Sequence, residues 1–159
     1  MSDLVTIRNF VYDDIDFIYN NWAENCTWGG CKFEKDIDSI KKLIDEWKTK
    51  VYQSHYFEQF VILCNNIPVG MVSLYEKSDD EVSVGIYIEQ NNTHKGIGTK
   101  TYQLIEEEAK KKKYKYLSAG VLEDNIPSVN FQLKMGFNKD STHLNIKGKN
   151  QIRFIKRLS

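Results

Sequence analysis

Gly96 and Gly98 sit in the stretch Thr93-His94-Lys95-Gly96-Ile97-Gly98-Thr99, where an alternating segment gives way to a helical one. Before it, Val82, Val84, Ile86 and Ile88 alternate with Glu81, Ser83, Gly85, Tyr87 and Glu89, the period of a strand. After it, Ile97, Thr101, Leu104, Ile105 and Ala109 recur at helical spacing. A strand, a glycine turn and a helix N-terminus together aim backbone N–H groups at one point. Glycines there remove the Cβ atoms that would hold a phosphate away from those donors. The spacing predicts a cradle for a phosphate-bearing cofactor, to which Lys95 adds a charge-assisted contact. The loop has neither the GxGxxG spacing of a dinucleotide fold nor the Gly-Lys-Ser/Thr ending of a P-loop.

A second group of residues narrows the cofactor. The apolar run 116–122 leads into Asn125-Ile126-Pro127-Ser128, and Lys134-Met135-Gly136-Phe137 lies beyond. With the glycine loop, and in this order, the segment from about Val82 to Phe137 resembles the GNAT superfamily of acetyl-CoA-dependent N-acetyltransferases. Within it the RimJ/RimL branch is the most similar. The family loop Gln/Arg-x-x-Gly-x-Gly/Ala is matched by His94-Lys95-Gly96-Ile97-Gly98, with Thr93 in the Gln/Arg place. The family's Asn with a Gly-Phe pair downstream is matched by Asn125, Gly136 and Phe137. The resemblance implies a mixed α/β fold whose central, mostly antiparallel sheet is flanked by about four helices. It implies that acetyl-CoA is held by Thr93, His94, Lys95, Gly96, Ile97, Gly98 and Thr99, by the strand end Ile86-Tyr87-Ile88, and by Asn125, Ser128 and Phe131.

Moving an acetyl group to a primary amine by direct attack in a ternary complex requires the amine to be neutral. A lysine-like amine has a pKa of about 10.4, so a proton must be removed near pH 7. Relatives place a glutamate six residues before Ile88 or five before Asn125. Those positions are Val82 and Gly120 here, and neither is a base. Glu81 and Glu123 stand beside them, and alternation turns Glu81 to the face opposite Val82. Relatives also carry a Tyr seven residues after the Asn to protonate the departing thiolate. Gln132 stands there, which donates an N–H but delivers no proton. Glu81 and Gln132 are therefore the catalytic candidates. The family's acceptor site is built from the first two helices and their connection, where Glu24 and Trp28, the latter beside Gly29-Gly30, suit a cationic amine. Two functions stay open: an N-acetyltransferase acting on a small amine or a protein N-terminus, and a non-catalytic acyl-CoA sensor, which the missing glutamate and tyrosine would fit.

The elements that must position these residues follow from patterning. Residues 5–10 read as a strand. Asp13 or Asp14 caps a helix with Ile15, Ile18, Tyr19 and Trp22 on one face. A helix over 35–48 buries Ile37, Ile40, Ile44 and Trp47. Residues 57–64 and 67–75 form a hairpin around Asn65-Asn66. Glu106, Glu107 and Glu108 lie four residues before Lys110, Lys111 and Lys112, at pairing distance on a helix. Asn125 caps a shorter helix ending at Gly136, and two strands joined near Gly148 complete the chain. At 159 residues this reads as a single N-acetyltransferase domain over 1–159. Lys plus Arg and Asp plus Glu number 22 each, so no net field draws nucleic acid or an anionic membrane. No apolar run is long enough for a membrane span. Cys26 and Cys31 with His55 lack a fourth zinc ligand, so no metal is expected. Three cysteines fit reduced thiols in a cytoplasmic protein. The partners expected are an amine-bearing acceptor and, as in many relatives, a second copy in a homodimer.

Overall fold

A computed structural model describes residues 3–21, 36–92 and 96–158. The strands are β1 (Val5–Asn9), β2 (Val51–Tyr52), β3 (His55–Cys64), β4 (Ile67–Glu76), β5 (Glu81–Ile88), β6 (Tyr116–Leu122), β7 (Asn138–Leu144) and β8 (Asn150–Arg157). The α-helices are α1 (Ile15–Asn20), α2 (Ile37–Lys48), α3 (Ile97–Lys111) and α4 (Ile126–Lys134). The sheet runs β1-β3-β4-β5-β6-β8-β7, with β2 beside β3. Its neighbours are antiparallel except β5 and β6, which α3 joins as a parallel crossover. The fold class expected from the resemblance is therefore the one observed. No described helix is long and apolar enough to cross a membrane.

Both faces of the sheet's first half are covered, which explains the unbroken apolar run Phe60-Val61-Ile62-Leu63 in β3. Phe60 and Ile62 point to the face of α3, where Ile97, Tyr102, Ile105 and Ala109 pack. Val61 and Leu63 point to the face of α1 and α2, onto Ile18, Ile40, Ile44 and Trp47. Asn65 and Asn66 adopt φ of 51° and 67°, the pair of left-handed residues that a two-residue hairpin needs.

Three local expectations are corrected. Ile37 opens α2 on its outer side and is 54% exposed, because α2 turns Leu43 inward with Ile40, Ile44 and Trp47 instead. Asp14 does not cap α1 with its side chain. It is buried and accepts two hydrogen bonds from the Arg8 guanidinium (2.8 and 3.0 Å) and one from the Val11 N–H (2.9 Å). Glu106 reaches across to Lys156 (2.7 Å) rather than along α3, while Glu108 pairs with Lys111 one turn on.

At the C-terminal end of α3, the buried Glu58 accepts hydrogen bonds from the Tyr56 hydroxyl and the Asn9 amide, with Lys50 at 3.5 Å and Lys112 at 3.9 Å. Burial alone would raise its pKa, but the two hydrogen bonds and two lysines outweigh burial and hold it below the usual carboxylate value. A depressed folded-state pKa contributes stability above the unfolded value of about 4.3 and loses it as pH falls through the folded one. Urea unfolding of wild type and Glu58→Gln should therefore show a gap in stability at pH 7 that narrows steadily below about pH 4.3. A gap constant down to pH 3 would refute this ionised role.

Candidate active site

β5 and β6 pair only through Glu81–Tyr116, Val82–Leu117 and Ser83–Ser118. Beyond Ser83 the β4 edge of β5 stays bonded out to Ile88, but its β6 edge has no strand partner. The sheet thus opens into a fork, and alternate residues from Val84 to Ile88 present unpaired main-chain groups inside it.

The start of α3 closes the open end of this fork. Gly96 is its N-cap, at φ 77°, a left-handed conformation that costs glycine little. The intrahelical ladder begins with Lys100 N–H donating to the Gly96 carbonyl (3.2 Å), so the N–H groups of Ile97, Gly98 and Thr99 lie outside it. By contrast, Asp36 caps α2 through the Ser39 N–H, and Asn125 caps α4 through the Ser128 N–H. Among the described residues no side chain caps α3, and its first turn carries no acidic residue. Its positive dipole end is thus left for an external anion.

These groups surround a cleft of about 540 Å³. Ile86 and Ile88 form one wall, and Gly96, Ile97, Gly98 and Thr99 form the helix end of it. Asn125, Ser128 and Phe131 of the α4 region form the opposite wall. Nine residues that were read as cofactor-binding, Gly96 among them and separated by up to 45 positions in the chain, thus meet in one place. Phe131 is held edge-on by Tyr102, with ring centroids 4.9 Å apart. Tyr87 points the other way, and its hydroxyl donates to the Asn21 side chain (3.0 Å), so only its backbone borders the fork. Thr93, His94 and Lys95, and the acceptor candidates Glu24 and Trp28, lie outside the described residues.

Gln132 is a correction. It is buried between α3 and α4, where its Nε2 donates to the Tyr102 hydroxyl (2.9 Å), and it does not line the cleft. The Tyr102 hydroxyl is pushed up to about 12, chiefly by burial, with the hydrogen bond from Gln132 working against that rise. This pair therefore stays neutral and supports Phe131 from behind instead of meeting a leaving group.

Glu81 lies on the face opposite Val82, as alternation requires, and lines a second cavity of about 560 Å³ on the side of the fork away from α3. Its carboxylate is already engaged. One oxygen accepts from Arg153 in a close ion pair, and the other accepts from the Ser118 hydroxyl (2.7 Å). Arg153 also approaches Asp140 at 3.6 Å. Glu123 is exposed past the end of β6. The sequence reading missed Arg153, Ser118 and Gln151 here, since Ser118 meets Glu81 only through the β5–β6 pairing, and Arg153 and Gln151 reach Glu81 and Gly120 only once β8 pairs with β6.

The sequence pattern of the acetyltransferase (GNAT) domain matches residues 5–138. No curated protein matches the chain. Among solved structures, the spermidine/spermine N-acetyltransferase SpeG of Vibrio cholerae superposes with a TM-score of 0.80 at 17% identity, over 98% of this chain and 93% of that one. A GNAT-family acetyltransferase of Bacillus anthracis gives 0.78 at 14% identity, over 99% and 97%. The acetyltransferase yncA of Salmonella typhimurium, solved with acetyl-CoA, gives 0.70 at 15% identity, over 98% and 94%.

Proposed function

This chain belongs to the GNAT acetyltransferase family, an acyltransferase with acetyl-CoA as acetyl donor, and from that premise we propose that it acetylates a primary amine held in the fork between β5 and β6. The observation that carries this reading is the N-terminus of α3, uncapped among the described residues, facing a cleft walled by an unpaired strand edge. Both features fit the donor: an anion for the helix end, and an amide-bearing arm for the strand edge. Acetyl transfer forms an N–C bond and breaks the C–S bond; the ammonium loses one proton to water before attack, and a second amine proton passes to the departing thiolate to give CoA thiol.

The residues then divide the work. The N–H groups of Ile97, Gly98 and Thr99 bind the pyrophosphate, and the backbone of Ile86, Tyr87 and Ile88 orients the arm along the fork. Ile88 and Phe131 exclude water from the cleft between them. Asn125 fixes the start of α4 and closes the wall. Thr93, His94 and Lys95 complete the loop, and Glu24 and Trp28 the acceptor side. Glu81, with both oxygens engaged, serves as a positioning residue that fixes Ser118 and Arg153. The amine sheds its proton to water, and orientation supplies the main rate gain, for which roughly 7–11 kcal/mol is within reach.

The acceptor is a small amine or a protein N-terminus, the latter resting on the RimJ/RimL-like Asn125-Ile126-Pro127-Ser128 segment. We extend the proposal to one domain over the whole chain and to a homodimer, for which β7, exposed along its length at the end of the sheet, offers an edge. Thermal unfolding with acetyl-CoA at about 100 times its dissociation constant should show stabilisation by roughly 2.7 kcal/mol, and amines should then release thiol. An unchanged midpoint would sink the placement of the cofactor. A shifted midpoint without thiol release from any amine would sink the transfer.

A further inference from the structure

The cavity on the side of the fork away from α3 has a chemistry of its own. Its charged floor is satisfied only in part: Glu81 is committed to Arg153 and Ser118, while Nη1 of Arg153 is buried without a hydrogen-bond partner among the described residues. Among its described lining residues the cations are Lys77 and Arg153, against the single carboxylate of Glu81. A polyamine needs several free carboxylates, and this lining has none.

Beside that cationic donor the lining offers an uncharged pair. The Gln151 amide lies against β6 at Gly120. A Cβ on residue 120 would come within 2.4 Å of Gln151 Nε2, so the glycine is what admits the amide. Gly120 pairs with Arg153 and Leu122 with Gln151, so the amide crosses diagonally between neighbouring strands. Gln151 is half-buried, and among the described residues neither its amide nor the Ser83 hydroxyl across the fork has a hydrogen-bond partner. A half-buried carboxamide with an unused donor and an unused acceptor, held in place by a glycine, is built to meet a group with the complementary pair.

We infer that this cavity is the acceptor's specificity pocket, that Gln151 and Ser83 read a neutral amide group next to the reacting amine, and that polycations are poor acceptors. The inference rests on the proposed acetyl transfer and names the acceptor class for it. The test is thiol release from acetyl-CoA with glycinamide, propylamine and spermidine, using wild type, Gln151→Leu and Ser83→Ala. Because the amines differ in basicity, the readout is how each substitution changes the ratio of kcat/KM for glycinamide over propylamine. Loss of one hydrogen bond should lower that ratio about tenfold in Gln151→Leu and less in Ser83→Ala. Acetyl-CoA should still raise the unfolding midpoint of both variants, showing them folded. Wild type should use glycinamide better than spermidine. A ratio unmoved by both substitutions, or spermidine as the best acceptor, overturns the pocket assignment and leaves acetyl transfer standing. No thiol release from any amine overturns acetyl transfer itself, and this inference with it.

Discussion

Gly98→Leu is expected to fold as well as wild type and to lose the stabilisation that acetyl-CoA confers. The two effects separate because of where residue 98 lies. A Cβ there would sit 3.4 Å from Phe131 Cζ and 3.6 Å from Ile88 Cδ1, ordinary contact distances that the protein accepts without movement. Residue 98 is in the first turn of α3, with no left-handed φ, so replacing glycine also removes a helix penalty of about 0.5–1 kcal/mol. The rest of the leucine, however, would occupy the space between Phe131 and Ile88 that the cleft needs. The unfolding midpoint without ligand should be equal or slightly raised, and the roughly 2.7 kcal/mol gained at 100 times the wild-type dissociation constant should vanish. Affinity by calorimetry should fall at least about a hundredfold, the factor that leaves only about 0.4 kcal/mol of that gain. Wild-type affinity in a folded Gly98→Leu would show that the helix end is only a turn.

The contrast between what patterning revealed and what it did not follows the range of the interactions. The cradle at Gly96 and Gly98 was legible because a strand, a turn and a helix start are all set within about twenty residues. The Asn65-Asn66 hairpin and the Asn125 cap were legible for the same reason. The fork was not, since it depends on how far β5 and β6 run together, and that is settled by Ser83 meeting Ser118. Gln132 was misjudged for a related reason. Its position after Asn125 suggested an active-site donor, but its partner is Tyr102, thirty residues away on another helix. Glu81 likewise looked like an unoccupied carboxylate until β8 brought Arg153 beside it, seventy-two residues on. Side chains whose partners come from neighbouring strands carry almost no local signature of being taken.

Gly70 gives the second large effect, and it ties the sheet to the cleft. The residue pairs with Ile88 across β4 and β5, next to an irregularity where β4 slips against β3 around Val69. A Cβ on residue 70 would lie 2.2 Å from the Tyr87 carbonyl oxygen and 3.1 Å from the Ile88 Cα. Both are backbone atoms, so no rotamer change relieves the overlap; the end of β5 must move. Gly85 supplies the control within the same pair of strands. There the added Cβ would be 3.1 Å from the Ser73 hydroxyl oxygen, a side-chain atom that can rotate aside. Gly70→Ala should therefore cost about 3 kcal/mol, the upper range of overpacking, and lower the midpoint by roughly 6–12 °C for a chain of this size. Gly85→Ala should cost less than about 1 kcal/mol. Since the segment displaced by Gly70→Ala carries Ile86 and Ile88, its affinity for acetyl-CoA should weaken as well, measured by calorimetry below the unfolding transition. Equal midpoints for the two variants would mean that the end of β5 yields freely. In that case a strand edge so compliant would not hold an acyl donor in the single orientation that acetyl transfer by positioning requires.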